Sequence, residues 1–338
     1  MPPTILVSRI DRIGDVVLTL PLCGLLKART GARVVFLARR YTRDVVAACD
    51  AVDEVLDWDA ASDAGPRRAL IAGVGADVVV HVRPDVGVAR AAARARVPVR
   101  IGTNRRVFHW LYCNRLVSVA RRASPLHEAQ LDVRLAASLL DADALALSPE
   151  ALAPYGRIAP RVAVPAALAP LVAPDRVNVV VHPTSGGSAR EWPLAKYGAL
   201  IAALPASQYR VLVTGTAAEG AALGGWLRDL PAQAHDVTGR TDVAQLIALL
   251  AAADGFVGAS TGPLHLAAAV GAHALGLFPH RRPMHPGRWA PIGPHAEVLV
   301  AEAPCGGCRA QTDPCTCVED IPVEAVRARV AQWARQPA

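Results

Sequence analysis

Short apolar runs alternate with segments of helical period along almost the whole chain, and this alternation restricts the fold more than any other feature. In the front half, the runs at 5–7, 33–38, 52–56, 77–82 and 97–101 have the length of buried strands. Strands that alternate with helices favour a parallel sheet with helices on both faces. The front half therefore predicts a doubly wound α/β domain.

The alternation restarts after residues 141–175, a segment rich in Pro and Ala. A chain of 338 residues also exceeds the usual size of one domain. We predict two Rossmann-like α/β domains, at residues 1–160 and 176–320, that face a central cleft. The last residues, 321–338, are expected to form a helix that packs back toward the front domain.

The charge balance is moderately basic, with 36 Lys and Arg against 29 Asp and Glu. This excess favours anionic partners such as nucleotides, phosphorylated lipids or a membrane surface, and it is too small and scattered to indicate nucleic acid. Asp11, Arg12 and Asp15 interrupt the N-terminal apolar stretch early, so no signal peptide is predicted. We expect a cytoplasmic protein.

Asp15 lies where the first predicted strand gives way to a helix, directly after Gly14. The helix dipole stabilises a carboxylate at this position as the anion. The residue is then either a plain helix cap or a general base that takes a proton from an acceptor hydroxyl. Asp11, four residues earlier, competes for the second role.

Three later strand ends carry residues suited to a nucleoside diphosphate. Hydroxyls, glycines and one arginine between His182 and Pro193 can hold a diphosphate, and backbone N–H groups at the start of the helix after Ala259 can do the same. A solvated loop and a packed core histidine are the alternatives at these places. The candidate donor contacts are Thr184, Ser185, Arg190, Glu219, Ser260, Thr261, Gly262 and His265.

Arginines follow several predicted strand ends of the front half. They are either contacts to an anionic acceptor or a solvated basic face. The candidates are Arg40, Arg43 and Arg83, with Arg39, Arg105 and Arg106 nearby.

Four of the seven cysteines, Cys305, Cys308, Cys315 and Cys317, fall within thirteen residues. A zinc or iron site needs four converging thiolates, and the C-x-C half is unusual for a structural zinc site. Reduced loop cysteines are the alternative.

Taken together and in this order, these stretches resemble glycosyltransferase family 9, the ADP-heptose:lipopolysaccharide heptosyltransferases. The G-D pair before a Pro-containing helix matches Gly14 and Asp15, and the K-x-W-P element matches residues 190–193. The signature D-T-G-x-x-H-x-A-A-A matches residues 260–269. The chain departs twice, because Arg190 replaces the lysine and Ser260 replaces the aspartate.

The resemblance implies a GT-B fold, with the acceptor on the front domain, the nucleotide on the back domain, and inversion without a required metal or other cofactor. It implies Asp15 as the base, Arg190 on the diphosphate, and Arg9 as a basic residue near the donor. We therefore expect an inverting transferase that moves heptose or a related sugar from ADP-heptose to the lipopolysaccharide inner core. Its partners would be a nucleotide sugar, a lipid-linked saccharide and the inner-membrane surface.

Two alternatives stay open, namely a relative that uses another nucleotide sugar and a non-catalytic binder of nucleotide sugars. A nicotinamide-dependent oxidoreductase fits poorly, because the loop after the first strand has one glycine rather than the three of G-x-G-x-x-G.

Overall fold

The computed structural model describes residues 2–121, 124–310 and 314–333. The chain divides into two compact units, Met1–Ile158 and Ala159–Ala338, and the division lies inside the Pro- and Ala-rich segment. Within the described ranges, every helix is too short or too polar to cross a bilayer. The roles of the two units, acceptor and donor binding, stay predictions.

The described residues of the first unit form a parallel six-stranded sheet. Its strands are β1 (Thr4–Ser8), β2 (Arg33–Ala38), β3 (Glu54–Asp57), β4 (Val78–His81), β5 (Val99–Thr103) and β6 (Arg115–Val117). They lie in the order β3-β2-β1-β4-β5-β6. Of these six described strands, β6 alone was not predicted from the sequence, because its three residues include an exposed arginine and give no apolar run.

Eight α-helices lie in the described part of the first unit. They are α1 (Ile13–Thr30), α2 (Arg43–Ala47), α3 (Ala64–Ala72), α4 (Val86–Arg94), α5 (Val107–Tyr112), α6 (Glu128–Leu135), α7 (Ala142–Leu145) and α8 (Pro149–Leu152). Gly31 ends α1 with a left-handed φ of 65°, which glycine adopts without a steric penalty.

Residues after α8 pack closely against the middle of α1. A Cβ on Gly156 would lie 2.6 Å from the Pro21 side chain, and a Cβ on Gly24 would lie 2.1 Å from the carbonyl oxygen of Tyr155. The two glycines therefore allow a close backbone approach that larger residues would prevent. Residues 153–156 can then pack directly against α1.

The second unit repeats the same plan. Its parallel strands are β7 (Val177–His182), β8 (Tyr209–Val213), β9 (Ala234–Asp236), β10 (Gly255–Ala259), β11 (His273–Leu277) and β12 (Ala296–Leu299). Their order, β12-β11-β10-β7-β8-β9, is the order of the first sheet written in reverse. The two doubly wound parallel sheets predicted from the sequence are confirmed.

In residues 159–310 and 314–333, the second unit has seven α-helices. They are α9 (Leu194–Ala202), α10 (Ala217–Arg228), α11 (Val243–Ala252), α12 (Gly262–Val270), α13 (Pro286–Trp289), α14 (Gly306–Ala310) and α15 (Val323–Val330). Val326, Val330 and Trp333 at the end of the chain are buried in the core of this unit together with Trp192 and Tyr197. The expectation that the last helix packs toward the front domain stays a prediction.

Each sheet reverses its winding direction beside its first strand. This switch point falls between β1 and β4 in the first unit and between β7 and β10 in the second. In open α/β sheets, ligands bind outside the carboxyl ends of the strands at such a point. The loops that follow these four strands are therefore the place to look for a site.

Candidate functional site

At the first switch point, Asp15 lies in the first turn of α1, directly after the loop that follows β1. The fold places it there because the apolar run of β1 ends at Ser8 and the buried face of α1 begins at Val16. Its side chain keeps 19% of its surface exposed, so the carboxylate can be reached from solvent. The predicted position of the acid at a strand-to-helix junction is confirmed, and its catalytic role stays a prediction.

Arg9 is the charged centre of this switch point, and only 3% of its surface is exposed. Its guanidinium group donates to Asp15, to Asp11 Oδ1 at 2.8 Å, and to Glu128 Oε1 at 3.2 Å. Asp132 Oδ1 lies 3.5 Å from Arg9 Nη1. The sequence analysis expected Arg9 near a donor, whereas its hydrogen bonds in the structure go to carboxylates of its own unit.

A second arginine, Arg121, completes the network. Arg121 donates to Glu128, to Asp132 Oδ1 at 2.8 Å, and to the carbonyl oxygen of Val82 at 3.0 Å. Thr19 donates to the other oxygen of Asp132 at 2.7 Å. Buried carboxylates need such partners, because an unpaired buried charge is strongly destabilising. We call Arg9, Asp15, Arg121, Glu128 and Asp132 the ionic network.

The ionic network changes the acidity of its carboxyl groups. Burial raises the pKa of Asp15 above its usual value, Arg9 opposes this shift, and the negative charges of Asp11 and Glu128 add to it. Burial likewise raises the pKa of Asp132 to about 6, against the opposing effect of Arg121 and Arg9. A carboxylate with a raised pKa is a stronger base, which suits proton abstraction from a hydroxyl.

Sequence reasoning missed Glu128, Asp132 and Arg121. One signal was available, because Glu128 and Asp132 stand four residues apart on α6 and so lie on one helical face. The neighbours Leu131, Val133 and Leu135 are also buried, which indicates that the acidic face is covered. The pairing with Arg9, however, spans more than one hundred residues and leaves no local pattern.

The arginines proposed for the acceptor lie in different surroundings. Arg83 donates to Asp11 Oδ2 at 3.0 Å and is 48% exposed. Arg40 donates to Asp57 Oδ2 at 3.0 Å and is 71% exposed, and Arg43 lies exposed on α2. Of the three, Arg83 is in contact with the loop that carries Asp15.

A cavity of about 490 Å³ opens in the first unit beyond the ends of β4 and β5. Three arginines line it, namely Arg105, Arg106 and Arg121, and the first two were noted in the sequence. The remaining wall is mostly apolar and is formed by Val82, Pro84, Thr103, Val119, Ala120 and Leu135. Arg121 thus belongs both to this cavity and to the ionic network that holds Asp15.

At the second switch point, residues 183–192 form the loop after β7. We call it the donor loop, because the sequence analysis predicts donor contacts there. Ser185 Oγ donates to the carbonyl oxygen of Ala189 at 3.0 Å, and the Ser185 amide donates to Glu191 Oε1 at 2.6 Å. Gly186 and Gly187 have φ values of 54° and 75°, where side chains are strained. The loop therefore folds on itself and holds Arg190, half-buried, near its end.

Glu219 connects the donor loop to the next strand end. Thr184 Oγ1 donates to Glu219 Oε1 at 2.8 Å, and the Thr216 amide donates to Glu219 Oε2 at 2.7 Å. Burial acts to raise the pKa of Glu219, and these hydrogen bonds outweigh it and lower the pKa. Glu219 is thus an anion that closes the capping box of α10 and holds Thr184 in place.

The start of α12 presents backbone donors rather than side-chain charge. Thr261 is its N-cap residue and makes no side-chain capping hydrogen bond, and Gly262 and Pro263 open the helix. Gly258 in β10 pairs with His182 in β7, so this helix start neighbours the donor loop along the sheet edge. Ser260 is half-buried, and His265 is 3% exposed on the first turn. A helix start of this kind suits an anion such as a phosphate.

The four late cysteines also come together in the second unit. Their Sγ atoms all lie within 4.8 Å of one another, and three of the four side chains are buried. We call Cys305, Cys308, Cys315 and Cys317 the thiol cluster. This geometry could hold a metal ion.

Comparison with known proteins identifies the family. The family model for glycosyltransferase family 9 (heptosyltransferase) matches residues 69–319. A Haemophilus influenzae protein named "Putative glycosyltransferase" is 28% identical over 316 residues, which covers 89% of this chain and 90% of that protein.

Solved structures share the fold over nearly the full length. A glycosyltransferase family 9 protein from Veillonella parvula has a TM-score of 0.81 at 15% identity, covering 97% of this chain and 96% of that one. The E. coli ADP-heptose lipopolysaccharide heptosyltransferase II has a TM-score of 0.75 at 22% identity, with 97% of each chain covered. The fold is therefore that of the GT-B heptosyltransferases.

Proposed function

Because the chain belongs to glycosyltransferase family 9, we propose that it transfers heptose or a related sugar from an ADP-linked donor to the lipopolysaccharide inner core. The name of the E. coli neighbour, which includes ADP-heptose and lipopolysaccharide, supports this donor and this acceptor class. The transfer inverts the anomeric carbon in a single displacement.

Asp15 is the proposed general base. It takes the proton from the acceptor hydroxyl as the hydroxyl oxygen attacks the anomeric carbon, and the bond from that carbon to the diphosphate breaks. The partly exposed Asp15 carboxylate, hydrogen-bonded to the buried Arg9 at a switch point, is the observation that carries the proposal. Arg9 is a positioning residue here, because it is buried among carboxylates and acts through Asp15.

The donor diphosphate binds at the second switch point on this proposal. Arg190 and the start of α12 meet the phosphates, where negative charge grows as the sugar leaves. Thr184 and Ser185 line the same loop, and Glu219 meets the ribose while it keeps Thr184 in place. A fixed arginine and backbone dipoles supply the charge compensation, so transfer requires no metal ion.

The acceptor binds in the cavity of the first unit. Its arginines, Arg105, Arg106 and Arg121, suit a saccharide that carries carboxylates or phosphates. Arg83, bonded to Asp11 beside the base, extends the same basic lining. Arg40 and Arg43 lie farther along the same edge of the sheet, after β2.

Helix α5 brings this cavity to the surface of an anionic membrane. Val107, Trp110 and Leu111 share one helical face and are exposed by 82%, 64% and 74% of their surface. Arg105 and Arg106 directly precede them and are also exposed. Apolar side chains flanked by arginines match an interface of acyl chains and anionic headgroups. A lipid-linked acceptor would then be taken up at the bilayer surface.

The decisive experiment follows both substrates in one reaction. The purified chain is incubated with ADP-heptose and a truncated lipopolysaccharide acceptor, and NMR of the product reports the anomeric configuration. Thermal shifts with ADP-, UDP-, GDP- and CMP-sugars report the donor nucleotide. A thermal shift with an ADP-sugar but no transfer to any inner-core acceptor would identify a non-catalytic binder. A thermal shift with a UDP-, GDP- or CMP-sugar alone would show that the donor carries that nucleotide instead of ADP.

A further inference from the structure

The thiol cluster has the geometry of a metal site rather than of four separate thiols. Cys308 Sγ lies 3.1 Å from Cys315 Sγ and 3.0 Å from Cys317 Sγ. Sulfur atoms around one tetrahedral zinc stand about 3.8 Å apart, since each Zn–S bond is about 2.3 Å. Small side-chain movements within the 4.8 Å span of the cluster would bring all four to such a centre.

Backbone amides also point at the sulfur atoms. The Cys308 amide donates to Cys305 Sγ at 3.4 Å, and the Cys305 amide donates to Cys317 Sγ at 3.2 Å. Hydrogen bonds of this kind stabilise thiolate charge, and around metals they orient the ligands.

The cluster adjoins a turn that supports the donor loop. Cys315 and Cys317 begin the turn 315–321, and the carbonyl oxygen of Ile321 accepts from Trp192 Nε1 at 3.0 Å. Lys196 Nζ donates to the same carbonyl at 2.9 Å. Trp192 is fully buried and lies only two residues after Arg190, so the turn holds the end of the donor loop from behind.

The described residues between β12 and α15 have little regular secondary structure. Between β12 and α15, the described residues contain one helix, α14, of five residues. Its Cys308 and the nearby Cys315 and Cys317 are nevertheless buried in the same core as Trp192 and Tyr197. A bound metal ion would supply the cross-links that regular structure does not, because metal binding free energy is also folding free energy.

We infer that Cys305, Cys308, Cys315 and Cys317 bind one tetrahedral zinc or ferrous ion, and that this ion fixes the turn that positions Trp192 behind the donor loop. The metal site does not depend on the proposed function. Only the expected effect of the metal on donor binding rests on that function. The ion is structural: its four protein ligands leave no open position for a substrate.

Metal content tests the site directly. The tag-free chain, purified in reductant, should contain about one equivalent of zinc or iron by elemental analysis, and visible absorption separates iron from zinc. Cys305 is the most exposed ligand, so Cys305→Ser should fold and bind Zn²⁺ at least about 100-fold more weakly. Cys305→His should restore binding, and Cys113→Ser, a buried thiol of the first unit, should keep the metal.

Two results would overturn the site. One is less than a tenth of an equivalent, both in the purified chain and after incubation of the metal-free chain with Zn²⁺ or Fe²⁺. The other is a disulfide within the cluster, detected by mass spectrometry without reduction.

Hydrogen exchange tests the link to the donor loop without any substrate. Removal of the metal should speed exchange at least tenfold in peptides covering 189–197 and 316–321, and leave β1 and α1 unchanged. Unchanged exchange in 189–197 after the metal has left would overturn the link. ADP affinity, measured in parallel, should fall in Cys305→Ser and recover in Cys305→His. If no form of the chain binds ADP, the proposed function fails while the metal site stands.

Discussion

The two units share one sheet order, but different kinds of residue lie at their switch points. The β1/β4 point of the first unit is filled with ionised side chains, where Arg9 and Arg121 bridge Asp15, Glu128 and Asp132. The β7/β10 point of the second unit offers hydroxyls, glycines and the start of α12, with Arg190 at its edge.

On the proposed function, this difference assigns two tasks to one architecture. The first switch point holds the protein's own charges in place and so can tune an acid or a base. The second presents backbone dipoles and hydroxyls beside Arg190, an arrangement that suits an anionic ligand. A transferase needs both, since it removes a proton from one substrate and stabilises negative charge on the other.

Removal of the proposed base, Asp15 at the first switch point, should have the largest effect on the rate. Asp15→Asn should lower kcat by about 10²–10⁴ because proton transfer is lost, while ADP affinity stays unchanged. The measurement is steady-state transfer together with calorimetric ADP binding. Asp44→Asn is the matched control, since Asp44 also lies in the first turn of a helix of this unit and is exposed. Turnover like that of the unsubstituted chain in Asp15→Asn would remove Asp15 from the mechanism.

A substitution at the second switch point should change ADP binding as well as the rate of transfer. Arg190→Ala should weaken ADP binding and lower kcat/KM by about 10- to 100-fold, because a charge-assisted hydrogen bond contributes about 1.5–3 kcal/mol. Arg228→Ala, at the end of α10, serves as the control. If ADP binding is unchanged in Arg190→Ala, the diphosphate does not lie at the donor loop.

The membrane contact belongs to the first unit alone on this proposal. The double substitution Trp110→Ser and Leu111→Ser should weaken binding to anionic vesicles at least about tenfold, because insertion of one such side chain is worth about 1.5–3 kcal/mol. Sedimentation with vesicles measures this. ADP affinity should not change, and Val162→Ser, an exposed apolar residue of the second unit, should bind vesicles normally. Equal vesicle binding by the double variant would place the contact elsewhere.

The pH dependence of kcat/KM tests the ionic network, and here the expected effect is the smallest. Asp15 must be ionised to act, so kcat/KM should fall as the pH drops through its raised pKa. The folded pKa exceeds the unfolded one, so this group stabilises the fold at low pH and loses that contribution as pH rises. The acidic loss of activity therefore does not reflect unfolding caused by Asp15.

Asp11→Asn removes a negative charge that raises the pKa of Asp15. The acidic limb of the pH–rate profile should then move to lower pH, while the maximal rate changes little. A large loss of the maximal rate would instead make Asp11 the base, the alternative left open by the sequence. An unmoved limb would show that the two carboxylates do not interact.

The sequence by itself determined the two doubly wound sheets and the position of Asp15 at a strand-to-helix junction. Strand and helix periods are local, and a carboxylate directly after a Gly at a helix start is visible in four or five residues. For the same reason, the donor loop and the start of α12 could be located before the fold was known. The three-residue strands β6 and β9 carry no such period and were found only in the structure.

Tertiary structure alone decided which charges meet. Packing of α6 against α1 brings Glu128 and Asp132 to Arg9, so the guanidinium group is paired within its own unit. The expected position of Arg9 near a donor stays a prediction. It likewise exposed the apolar face of α5 and gathered four thiols behind Trp192. Burial and pairing of charges depend on contacts between residues far apart in the chain, and such contacts leave no periodic trace in the sequence.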